Sequence, residues 1–180
     1  MTGQLSGNDK YATAHSDRES ISTVQGMMGV WVPGSSPNRE LSIHPRWVIF
    51  HSKTAYKQPL FTKIQLKNPD PFTIAFALKA RQKIFKISHN HGILKPGEER
   101  AIKLFLLGSE DWPLGTNEYV QQKIRIAVEN IRVPENITPS CSLEGSRIAK
   151  EVFRRSANEF PLERMYTKIN VLLEKFEGDA

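Results

Sequence analysis

Four cations stand at positions where they could act together: Lys79 and Arg81 in the run AFALKARQ, and Lys123 and Arg125 in QQKIRIAV. In both runs they alternate with apolar residues. A side chain on a strand points to the opposite face from its neighbour, so each pair sits on the outer side of its own strand. If the two strands are neighbours, one patch carries four positive charges, and such a patch steers and holds an acidic peptide. Its bland counterpart is the solvated face that basic proteins often show.

Other reactive groups assemble less well. His89 and His91 form an H-x-H pair in SHNHG, but two histidines do not complete a tetrahedral zinc shell, and His44 and His51 are not placed to help. Cys141 is the one cysteine and lies in a Ser/Pro-rich segment with no base nearby in sequence. Glu98-Glu99 and Glu110-Asp111 sit in turns and read as solvated charge. No phosphate-loop, nucleophile-elbow or zinc-protease motif occurs. The expectation is therefore no enzyme, no catalytic residue, no metal and no cofactor.

The chain has 180 residues, 39% apolar and 24% charged, with a formal net charge of +6. That length holds one sizeable core. The charge permits nucleic acid, an anionic surface or an acidic protein partner. A single thiol makes no internal disulfide, and the N-terminal stretch lacks the pattern of a signal peptide. No apolar run approaches the roughly 20 residues needed to span a bilayer. The expected setting is cytoplasmic. Nucleic acid is set aside because outward aromatic rings interleaved with the cations are not evident and no recognition motif is present. Phe105 and Gln65 point outward by alternation, and an exposed Phe there would mark an interface.

The elements that position these residues read as strands. Residues 1–38 are rich in Ser, Thr, Gly and Asn and read as a disordered N-terminal arm, with Trp31 able to tack onto the folded part. From residue 40 onward short β-type runs follow one another. LSIHP and WVIFH come first, then FTKIQLKN, FTIAFALKA, IFKIS, RAIKLFLL and QQKIRIAV, with Pro/Gly turns between them. HGILKPGEE reads as turn. No helical pattern lies between residues 40 and 131 to serve as a parallel crossover, so the fold is an antiparallel β-sandwich. After an extended connection at 132–147, residues 146–158 show helical spacing with Ser146 as N-cap. The run 166–176 fits strand or helix equally by periodicity.

The ordered set LSIHPRWVIF, FTKIQLKNPDPFTIAFALKA and FKISHNHGILKPGEERAIKLFLL resembles the major sperm protein (MSP) domain, a family that includes nematode sperm cytoskeletal proteins and VAMP-associated proteins. The matching features are Pro45, Asn68-Pro69, the strand Ile74 to Ala80, and Gly92, Leu94, Pro96 and Gly97. VFRRSANEFPLERMYTKINVLLE is similar to the helix and final strand that close the domain in VAMP-associated proteins, which implies a strand at 167–174. The resemblance implies an immunoglobulin-like seven-stranded antiparallel sandwich over residues 39–176, with a short helix before the last strand and a tail at 177–180. It also implies association with proteins and no catalysis. The sperm members self-assemble into cytoskeletal filaments, so self- or hetero-assembly of cytoskeletal kind is the leading expectation. The VAMP-associated members bind acidic FFAT peptides, so a cytosolic adaptor for such peptides is the alternative. The family's pocket positions fall on Ala77, Lys79, Ala80, Lys123 and Arg125. Two lysines are kept, while Ala77, Ala80 and Arg125 replace a lysine, a threonine and a methionine. A lost charge-assisted contact of that kind is worth about 1.5–3 kcal/mol where desolvated. The candidate peptide-binding residues are thus Lys79, Arg81, Lys123 and Arg125.

Overall fold

The computed structural model describes residues 37–134, 136–158 and 164–176. The N-terminal arm expected at 1–38, apart from its last two residues, and the tail 177–180 lie outside them. Strand periodicity becomes strand structure. Ile64 and Leu66, then Ile74, Phe76 and Leu78, then Ile102, Leu104 and Leu106, then Ile124, Ile126 and Val128, and last Ile169, Val171 and Leu173 all enter one buried cluster. Each such side chain contributes about 1.5–3 kcal/mol when fully buried.

Nine strands carry that core among the described residues: β1 (Ser42–His44), β2 (Trp47–Phe50), β3 (Leu60–Lys67), β4 (Ile74–Ala80), β5 (Phe85–Ile87), β6 (His91–Leu94), β7 (Glu99–Leu106), β8 (Ile124–Arg132) and β9 (Met165–Leu173). They form a four-stranded sheet in the order β1-β3-β7-β5 and a five-stranded sheet in the order β2-β9-β8-β4-β6. Every ladder is antiparallel except β2 with β9. The all-β sandwich with one helix before the last strand is as expected, but the count exceeds seven. LSIHPRWVIF divides between the sheets at the cis His44–Pro45 bond, and residues 91–94 form a strand where turn was expected.

The glycine that made β6 read as turn is required by its neighbour. Gly92 lies opposite Phe76, and a Cβ on it would come within 2.6 Å of the Phe76 ring and of the Arg100 side chain. The adjoining Asn68 ties two turns together. Its side-chain amide donates to the carbonyls of Phe72, Leu94 and Lys95, and its Oδ1 accepts from the Asp70 N–H. The Gly97 N–H donates to the Asn68 carbonyl, and Gly97 supplies the positive φ (72°) that this approach needs.

One α-helix is present among the described residues, α1 (Ser142–Asn158). It begins four residues before the expected start at 146. Ser140, not Ser146, organises its entry: the Ser140 N–H and hydroxyl both donate to the Glu144 carboxylate. A carboxylate in the first turn also suits the helix dipole. The helix lies on β6 and β4. It covers the side of β4 that faces away from the sandwich core, where Ala75 and Ala77 are fully buried.

Candidate functional site

The outer face of the five-stranded sheet is divided in two. Over β4 and β6 it is roofed by α1, and Ile93, Ile131, Ala149, Val152 and Phe153 are buried there beside Ala75 and Ala77. A lysine at position 77 would meet this roof, which gives a physical reason for alanine. Over β8, β9 and β2 the face is open.

Register sets what lies on the open part. Across β4, β8 and β9 one row reads Lys79, Ala127, Lys168. The next row reads Arg125, Asn170, Trp47 across β8, β9 and β2. Lys123 precedes β8, and its ammonium stands 5.9 Å from the Trp47 ring centroid, in cation–π range. Arg81 follows directly on Ala80, whose partner Ile126 adjoins Arg125. Lys79 and Arg125 thus lie on neighbouring strands, with Arg81 and Lys123 directly beyond the ends of β4 and β8, and all four side chains are exposed.

They are not equivalent. Lys79 makes an ion pair with Glu129 at 3.3 Å. Glu129 is itself buried and pairs with Arg164 at 3.1 Å. Arg81, Lys123, Arg125 and Lys168 have no carboxylate within ion-pair distance among the described residues. The open shelf thus has four unneutralised cations and a fifth, Lys79, whose charge is shared. Its floor is the small Ala127 and the largely buried Asn170, whose Oδ1 has no hydrogen-bond partner. Its rim is Trp47, 52% exposed, with Ile49 beyond it.

Lys168, Asn170 and Trp47 are missing from the site residues expected from sequence. Lys168 was accessible to alternation once 167–174 is taken as strand, since Ile169, Val171 and Leu173 face in. Trp47 was hidden in an apolar run that reads as core, because nothing local says that β2 ends up at a sheet edge.

The remaining reactive groups have structural surroundings. The His91 ring packs edge-on against Phe153 of α1 at 6.0 Å. Burial, then Lys150 and Lys79, hold its imidazole below the ordinary 6.5, against the opposing pull of Glu129. His89 is exposed and contacts Ser88. Cys141 is an exposed free thiol just before α1, and hydrogen bonding from the Glu144 backbone holds it below the usual thiol range. No helix of the described residues is long and apolar enough to cross a membrane.

Residues 40–144 match the family described as the MSP (Major sperm protein) domain. No curated protein matches the chain. Among solved structures, WR4, a C. elegans MSP family member, is 11% identical, with a TM-score of 0.48 over 74% of this chain and 94% of its own. SSP-19, an MSP-domain protein like family member in Caenorhabditis elegans, is 12% identical, with a TM-score of 0.49 over 73% of this chain and 99% of its own. The ASH/PapD-like domain of human CEP192 is 10% identical, with a TM-score of 0.46 over 83% of this chain and 94% of its own. The family match spans more than half of the sequence, from just before β1 to the first turn of α1, and on it the chain belongs to the MSP domain family.

Proposed function

We propose that the chain is a non-enzymatic protein-association module that holds an acidic segment of a partner protein on the open shelf of its five-stranded sheet. The observation that carries this reading is the convergence of Arg81, Lys123, Arg125 and Lys168, without paired carboxylates among the described residues, on a floor of small or buried side chains. Acidic side chains or phosphates supply the complementary charge, and Trp47 offers an apolar contact beside them. The shelf differs from an ordinary FFAT pocket: α1 covers Ala77, Lys79 is engaged by Glu129, and Arg125 and Lys168 carry more of the charge. Titration of acidic peptides, phosphorylated and not, tests it. A Lys123→Glu/Arg125→Glu variant is expected to bind at least about tenfold more weakly, one or more charge-assisted contacts being lost. Equal binding by the variant rejects the shelf.

A second reading is self- or hetero-assembly in a cytoplasmic, cytoskeletal setting, as in the sperm members of the family. Its support is the edge strand β2, with Trp47 and Ile49 exposed on the same face as Tyr166 of β9. Sedimentation at high concentration tests it, and a strictly monomeric protein rejects self-assembly.

A further inference from the structure

The other sheet has an outer face of its own, built from different residues. Across β3, β7 and β5 one row reads Phe61, Phe105, Lys86. The adjacent row pairs Lys63 directly with Lys103. The Phe61 and Phe105 rings touch, with centroids 5.9 Å apart, and the Lys103 ammonium stands 5.5 Å from the Phe61 ring centroid. Phe61 is 58% exposed, on the part of β3 that pairs with β7 and lies beyond the reach of β1, whose partners are Gln65, Leu66 and Lys67. In sequence, nucleic acid is set aside for want of outward rings among cations. On this face such rings are present. Phe61 escapes notice beside the clean Thr62, Ile64, Leu66 alternation of the same run.

The arrangement works against stability. Like charges directly opposite on antiparallel strands repel. Neither Lys63, Lys86 nor Lys103 has an ion-pair partner among the described residues. Glu99, farther along this face, is turned to Lys67 at 3.7 Å and Gln65 at 3.4 Å. Three unneutralised ammonium groups around two aromatic rings fit a ligand that is both polyanionic and planar.

We propose that the face bearing Phe61, Phe105, Lys63, Lys86 and Lys103 binds single-stranded nucleic acid, the rings stacking on bases and the lysines meeting phosphates. Sequence-tolerant single-strand binding uses this combination of stacking platforms and basic track. A duplex is disfavoured, because the face is a sheet surface with no element positioned to enter a groove. A bilayer is disfavoured as well. The rings lie one residue in from the ends of β3 and β7, packed against one another on the sheet face, and do not project from a loop tip. An acidic peptide satisfies the lysines and leaves the ring faces unused.

The test is fluorescence anisotropy of the full chain with a labelled oligouridylate of about 12 nucleotides, at about 50 and 200 mM salt. Binding is expected at the lower salt and is expected to weaken steeply at the higher. Phe61→Ala/Phe105→Ala and Lys63→Gln/Lys103→Gln should each weaken it about tenfold or more. Phe61→Tyr/Phe105→Tyr, which keeps both rings, should retain it, and this separates lost stacking from lost folding. Lys123→Gln/Arg125→Gln, on the opposite sheet, should weaken it less than either the ring or the lysine losses on this face, by no more than the general drop in positive charge. Absence of binding at low salt, indifference to the ring-removing variant, or an equal loss through the opposite sheet overturns the proposal. So does equal, ring-dependent binding of polyglutamate or of phosphatidylserine vesicles.

Discussion

Arg164 holds Glu129 at 3.1 Å while its other terminal nitrogen donates to the Ser156 hydroxyl at 2.6 Å, so one side chain joins the last strand, β8 and the end of α1. The same nitrogen reaches the Phe153 carbonyl, and the guanidinium lies 5.3 Å from the Phe153 ring centroid. Replacement of Arg164 by Ala removes all of these at once and leaves a buried carboxylate with Lys79 as its remaining cation. Stability should fall by about 2–3 kcal/mol, below the full cost of orphaning a buried charge because Lys79 persists. Chemical denaturation with a probe of α1 checks it. The docked helix is expected to loosen before the sandwich does.

The same roof makes His91 a source of acid sensitivity. Its imidazole is held below 6.5 by burial against Phe153 and by Lys150 and Lys79. The unfolded chain therefore binds the proton more readily, and the contribution of neutral His91 is present above the unfolded value and is lost as pH falls through the depressed folded one. His91→Gln should flatten this part of the stability profile below about pH 6.5. Denaturation midpoints across pH 4.5–7.5 for both proteins compare the slopes, and identical slopes would exclude the role.

These relationships show where sequence stops being informative. Alternation identified the core sides of β3, β4, β7 and β8, because period 2 is a local property of each strand, while β9, which fits strand or helix equally by periodicity, followed only from the family resemblance. It also put Lys79, Arg81, Lys123 and Arg125 on outer surfaces. It did not reveal that Glu129 claims Lys79, since that pairing needs β4 beside β8 and Arg164 folded back from beyond α1. Gly92 misled for a similar reason: its size answers to the Phe76 ring across the ladder, not to a turn in its own segment. The early start of α1 depends on Ser140 and Glu144, a local signal that Ser146 obscured.

Tyr56 supports the edge of the shelf from inside. It is fully buried at a positive φ of 58°, and its hydroxyl lies 2.9 Å from the Phe50 carbonyl and 2.7 Å from that of Glu174, at the ends of β2 and β9. Tyr56→Phe leaves those carbonyls without the donor and should cost about 1–3 kcal/mol at neutral pH. Burial, with Glu174 adding to it, pushes the phenol up to about 12. The folded state then keeps a proton that the unfolded state releases, so stability is lost as pH rises from about 10 toward 12. The phenylalanine variant should lack that part of the alkaline decline, which denaturation at pH 9–12 measures.

Lys63 and Lys103 yield the clearest separation of stability from binding. They are directly opposite on β3 and β7 and carry like charge. Lys63→Glu converts repulsion into a cross-strand ion pair at an exposed position, and should raise stability by about 0.2–1 kcal/mol. The gain should shrink as salt screens the pair. If these lysines serve only as solvated surface, that is the whole effect. If they hold phosphates, the same variant should gain stability and lose oligonucleotide affinity together, a combination that damage to the fold cannot produce. Thermal unfolding and anisotropy on one preparation measure both, and a stabilised variant with undiminished affinity would exclude Lys63 from the binding face.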